Sequence, residues 1–171
     1  MAVSEERIDE LLEDMLNKAD EDGWCHIPED LSDEEQEELS KRLTIITMQD
    51  RIDTLLEGIL SVIKYMGDIK DHIDKLETMD KLKIKGGLAT IKEDVEGLLM
   101  DLHSEDVMTD FFRIEVVVDD EDANKEDVDK AIDVVQGIIK TDFVEQLDKL
   151  KGYCKYIISF SNKITDELDG K

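Results

Sequence analysis

Apolar residues recur along this chain at intervals of three and four, the spacing that collects them on one face of a helix. The clearest run lies in and around "IDTLLEGILSVIKYMGDIKDHIDKL". There Ile45, Met48, Ile52, Leu55, Ile59, Val62, Met66, Ile69, Ile73 and Leu76 fill successive a and d positions of a heptad repeat. A strict seven-residue repeat keeps facing a neighbour only if the helix supercoils left-handedly, so this segment is predicted to lie along another helix for most of its length. The e positions set the width of that contact. Leu56 and Ile63 broaden the stripe in the middle, as a bundle requires, whereas Lys70 and Glu77 leave a narrow two-stranded seam toward the end.

Upstream, Ser4 is placed to cap a first helix, with Glu5 and Glu6 at its positive end and Ile8, Leu11, Leu12, Met15, Leu16 and Ala19 as its stripe. The loop "DEDGWCHIPEDL" follows, in which Pro28 turns Ile27 away from helix. Ser32 and Glu35 then read S-x-x-E, the capping box that opens a second helix, predicted to run to about residue 80. In "KLKIKGGLATI" the pair Gly86 and Gly87 is expected to end the pattern and reverse the chain, making a helical hairpin.

Leu88, Ile91, Val95, Leu98, Leu99 and Leu102 form the returning stripe, and Val107, Met108, Phe111 and Phe112 extend it, for a third helix over about 87–113. "RIEVVV" at 113–118 is β-branched but has no strand to pair with, so it reads as a helix end or an extended connector. From Val128 through Val135, Phe143, Leu150 and Ile157 to Leu168 the same spacing predicts a helix over about 125–169. A kink is expected near Gly137 and Thr141, where Asp142 and Glu145 can cap a fresh start. The expected fold is all-α: an acidic N-terminal helix and loop over 1–31, then an elongated, antiparallel, up-down-up bundle of long coiled-coil-like helices over 32–171.

Composition agrees with helices, since the chain of 171 residues has one proline and 5% aromatics while 39% of it is charged. Charge alters the picture more. The formal balance is -25 at pH 7, and residues 1–40 alone hold 16 acidic and 2 basic side chains. Such a field repels nucleic acid and anionic membranes and attracts a basic protein surface, at a rate that falls with added salt. Trp24, the one tryptophan, lies in the acidic segment and offers an anchor for such a partner, so 1–31 is a candidate docking arm.

The opening "MAVSEERIDE" has neither a basic nor an apolar leader region, and no apolar run approaches the ~20 residues of a membrane span. Cys25 and Cys154 are too few and too far apart in sequence to form a disulfide framework. A soluble, cytoplasmic protein with reduced thiols is expected.

Three short patterns touch on chemistry. "NKADEDGWCHIPEDL" resembles a calcium-binding EF-hand loop, with Asp20, Asp22, Gly23 and Glu29 in register. However, Lys18 stands at the first carboxylate position and Cys25 at the aliphatic one, so a connecting loop explains the same residues. His72 and Lys75 reproduce the H-x-x-K of histidine phosphotransfer domains, although the small residue that usually follows is Leu76. Glu34, Glu35 and Glu38 resemble the E-E-x-x-E of all-α nucleotide pyrophosphatases of the MazG type, without the companion E-x-x-D, and an acidic first helical turn accounts for them too.

His26 and His103 complete no spaced ligand set. No phosphate-cradling glycine loop or activated nucleophile pattern is present. The sequence therefore predicts a non-enzymatic interaction or assembly protein without cofactor or metal. The seam from Ile45 to Leu76 and Trp24 are its candidate contact residues, and a homodimer is expected. The alternatives are an acidic mimic of DNA that occupies the basic groove of a nucleic-acid-binding protein, or a degenerate EF-hand-like calcium binder.

Overall fold

The computed structural model describes residues 4–18, 28, 30–104 and 125–170. Among these the fold is all-α: α1 (Glu5–Asn17), α2 (Asp33–His72), a 3-10 turn (Ile73–Lys75), α3 (Thr78–Asp101), α4 (Lys125–Asp142) and α5 (Val144–Leu168). "RIEVVV" and the apolar residues from Val107 to Phe112 lie outside the described residues. The contacts gather into two units, one of Met1–Arg51 with Thr109–Thr141 and one of Ile52–Met108 with Asp142–Lys171.

In the first unit both helix starts are fixed by local chemistry. Ser4 Oγ accepts the Arg7 amide at 3.3 Å and so satisfies one of the orphan donors of α1. At α2 the reciprocal box is complete: Ser32 N donates to Glu35 Oε2 at 3.0 Å and Glu35 N donates to Ser32 Oγ at 3.3 Å. Ile8, Leu11 and Met15 of α1 bury against Leu39 and Leu43 of α2, with Leu12 and Leu31 at the rim. Leu16, expected in that stripe, is exposed. Ion pairs from Arg7 to Glu35 (3.6 Å) and from Arg42 to Asp9 (3.4 Å) tie the two helices at the edge of this apolar contact. In α4, Val135 and Ile138 are buried.

The second unit is a helical bundle. Buried positions keep heptad spacing on each of its helices: Ile52, Ile59, Met66 and Ile73 on the α2 side, Leu88, Val95 and Leu102 on α3, and Leu147, Leu150, Cys154, Ile157, Ser161 and Ile164 on α5. Lys85 pairs with Asp169 and Lys92 donates to Asn162, so α3 and α5 run antiparallel. Met66 meets Ser161, and the Lys70 ammonium lies 5.8 Å from the centre of the Phe160 ring, which joins α2 to α5.

The hairpin turn is not where the glycines suggested. α2 ends at His72, the 3-10 turn tightens the last residues, and Leu76 and Glu77 are both extended (ψ 136° and 159°) before α3 begins at Thr78. Gly86 and Gly87 are then interior residues of α3, and the one positive φ among the described residues belongs to Gly170. Two successive extended residues reverse the chain without any left-handed conformation, so glycine is not needed there. Each interior glycine costs α3 about 1 kcal/mol relative to alanine, which the packing of Leu88, Val95 and Leu102 outweighs. The expected interruption near Asp142 does occur: α4 ends there and Phe143, buried, separates it from α5. Phe143, and not Asp142 as expected, holds the N-cap position of α5, and it makes no side-chain cap hydrogen bond.

Candidate functional site

The ten seam positions can be located one by one. Met48, Ile52, Ile59, Met66, Ile69 and Ile73 are buried, and Ile45, Leu55, Val62 and Leu76 are half-buried. The chain's own residues thus already cover this stripe. Another molecule would reach it only by displacing them. Trp24 and the loop from Asp20 to Ile27, with Glu29, lie outside the described residues.

Between α1 and the first turns of α2 runs a groove lined by Glu5, Ile8, Glu34, Glu37, Glu38, Lys41 and Arg42. Capping chemistry puts these acids here: carboxylates favour the positive end of a helix, and α2 opens with Asp33, Glu34 and Glu35. Both basic residues are engaged locally, Lys41 with Glu37 at 2.6 Å and Arg42 with Glu38 at 3.4 Å. The Lys41 ammonium bonded to Glu37 holds that carboxyl below its usual range. Glu35 is also held low, first by the Ser32 amide, then by the Ser32 hydroxyl and by Arg7. This carboxylate serves the cap. It is therefore not free to converge with Glu34 and Glu38 on a metal, and no group of three or more metal-binding side chains exists among the described residues.

His72 is exposed, with Nδ1 2.8 Å from the Asp68 carbonyl oxygen one turn back, and Lys75 is exposed in the 3-10 turn. The pair borders the turn of the hairpin. Cys154 is a free thiol buried in the α5 seam, and burial pushes its pKa up, which keeps it protonated and unreactive.

One surface escaped the sequence reading. Opposite its buried stripe, α3 exposes Met79 (64%), Leu82 (59%) and Met100 (75%), with the exposed Gly86, Ala89, Thr90, Glu93 and Gly97 between them. These positions repeat at three and four, out of phase with the Leu88 stripe. The signal was present but was hidden by assigning 81–86 to a turn. Beside this face Tyr65, Ile69, Lys83, Ile84, Gly87 and Leu88 line a shallow groove between α2 and α3. No helix among the described residues is long and apolar enough to cross a membrane. No family model, no curated protein and no solved structure matches the chain.

Proposed function

We propose that the chain is a non-enzymatic interaction or assembly protein, whose coiled-coil-like bundle holds an acidic binding surface on α1 and α2 for a protein with a basic face. The observation that carries this reading is the groove of Glu5, Glu34, Glu37 and Glu38, set on two helices that the Ile8, Leu11 and Leu39 contact fixes in place. Carboxylates arrayed on capped, mutually packed helices cost little to order, so their field acts on an incoming partner without a penalty for rearrangement. Trp24, in the same acidic segment of the sequence, would supply an apolar anchor for such a partner. A cytoplasmic setting agrees with the free thiol of Cys154.

Mimicry of DNA has less support. A mimic needs an unbroken row of negative charge, whereas bases interleave with acids through the pairs Asp14–Lys18, Glu37–Lys41, Glu38–Arg42, Lys92–Glu96 and Asp148–Lys151.

The test is affinity capture by the full chain from an extract of its native host at low and high salt, beside a Glu34→Gln/Glu37→Gln variant. A basic protein retained at low salt, shed at high salt and lost from the variant supports the reading. Capture that is indifferent to both changes refutes the assignment of the surface.

A further inference from the structure

The acidity of the chain is interrupted on α5. The formal charge is -25, yet the stretch from Lys149 to Thr165 holds four lysines and no acid. Lys151 is half-buried and pairs with Asp148 at 3.5 Å. Lys149, Lys155 and Lys163 are exposed and enter no ion pair among the described residues. Lys149, Tyr156 and Lys163 follow one another at heptad spacing and so share one face of α5, where the nearest acids are Glu145 and Glu167, one turn beyond each end.

Between these lysines the surface is apolar and aromatic. The Lys70 ammonium over the Phe160 ring, 5.8 Å from its centre, marks the flanks on which α2 and α5 meet. Leu56 and Ile63 share the flank of Lys70 at heptad spacing, as Tyr153 shares that of Phe160. One step outward stand Leu60, 48% exposed, and Tyr156, 50% exposed, whose ring centre is 5.5 Å from that of Phe160. The two helices thus offer an apolar strip, open to solvent at Leu60 and Tyr156, with lysines along its α5 edge. On its α2 edge the exposed Glu57 and Lys64 offset one another.

We infer that this strip binds an acidic, amphipathic helix of a partner protein, as a second site separate from the acidic groove on α1 and α2 and opposite to it in charge. Two packed helices accept a further helix along the line between them, with its apolar face over Leu60 and Tyr156. Carboxylates on the flank of that helix meet Lys149 and Lys163, which stand about 21 Å apart along α5, or about four helical turns. Charge selects among the possible occupants. A second copy of the chain brings its own -25, and a nucleic acid strand brings a charge at every nucleotide. Both meet more repulsion from this chain than a helix with a few carboxylates on one flank. A single helix lies at the small end of the interface range, so the complex dissociates in the range of tens of micromolar.

The experiment is fluorescence anisotropy of a labelled, end-capped synthetic peptide of about 16 residues, with leucine at its heptad a and d positions and glutamate at e and g, titrated with the full chain. A twin peptide carries glutamine in place of glutamate. The chain is used as wild type, Lys149→Gln/Lys163→Gln and Tyr156→Ala, all changed at exposed positions, and thermal melts followed by circular dichroism establish that each is folded. The glutamate peptide should bind the wild type saturably, and the glutamine twin about tenfold more weakly. Each variant should weaken the glutamate peptide about tenfold, through lost charge in one and a lost apolar anchor in the other. No saturable binding up to about 0.5 mM overturns the site and leaves the basic-partner capture test unaffected. Equal affinity for the two peptides, or an affinity that neither variant changes, overturns it as well. Self-association of the wild type that is lost in Lys149→Gln/Lys163→Gln would assign the strip to a second copy, and oligothymidine bound more tightly than the peptide would assign it to nucleic acid; either result overturns the inference.

Discussion

Ser161 Oγ lies 4.0 Å from Met66 Sδ, with both side chains buried where α5 faces α2. A hydroxyl therefore occupies a position in the α5 seam that the heptad spacing of Leu147, Leu150, Cys154, Ile157 and Ile164 reserves for an apolar side chain. Its partner is a weak acceptor, so the bond gives back little of the cost of burying the hydroxyl. Ser161→Ala should change unfolding free energy by no more than about 1 kcal/mol in urea titrations. Met66→Ala should cost about 2–5 kcal/mol, since it opens a cavity against Ser161. A loss of several kcal/mol for Ser161→Ala would mean that the hydroxyl makes a stronger contact than the one to Met66.

Gly87→Ala tests the position of the hairpin turn. With Gly87 inside α3 and open space around its added Cβ, alanine should stabilise the protein by about 0.5–1 kcal/mol through helix propensity and a less flexible unfolded chain. If the chain instead reversed at this glycine with a positive φ, the same change would lower the melting temperature.

That turn shows where the sequence was legible and where it was not. Caps are local, so Ser4 and the Ser32–Glu35 box could be read from a few letters and are formed. Periodicity is a property of one helix, so the stripes of α2, α3 and α5 were readable as well. The reversal at Leu76–Glu77 leaves no letter of its own, because extended backbone is open to every residue type, whereas two adjacent glycines advertise a turn they do not make. The error at Gly86–Gly87 then concealed the outer face of α3, and the acidic groove could not be seen before α1 was docked on α2.

The capping box predicts a dependence on pH. The Glu35 pKa is depressed in the fold, above all by the Ser32 amide, so its ionised form adds stability that is present above the ordinary carboxylate range and lost as pH falls through the lowered value. Glu35→Gln keeps a hydrogen-bonding box but removes the charge. The difference in urea midpoint between wild type and this variant should be present at pH 7 and shrink as pH falls below the ordinary carboxylate range and through the lowered value. A difference that does not change with pH would assign it to geometry instead of charge. Ser32→Ala, which removes the hydroxyl that accepts the Glu35 amide, should cost about 1 kcal/mol at pH 7.

Cys154 reports on the bundle as a whole. In a Cys25→Ser background its thiol should resist a water-soluble disulfide reagent at pH 8 and become labelled only at the rate of unfolding, because burial both hides the sulfur and raises its pKa. The raised value also means that the neutral thiol contributes stability below its unfolded pKa, and that this is lost as pH climbs through the folded one. Rapid labelling of the folded protein would show that the α5 seam opens locally.

The claim that an acidic groove on α1 and α2 recruits a basic protein is tested most directly by the association rate constant of the captured partner, measured with salt varied from about 0.05 to 0.5 M. The account predicts a rate for the full chain that falls steeply with salt, and a slower rate with a shallower salt slope for Glu34→Gln/Glu37→Gln. Equal rates for the two proteins at every salt concentration would contradict it.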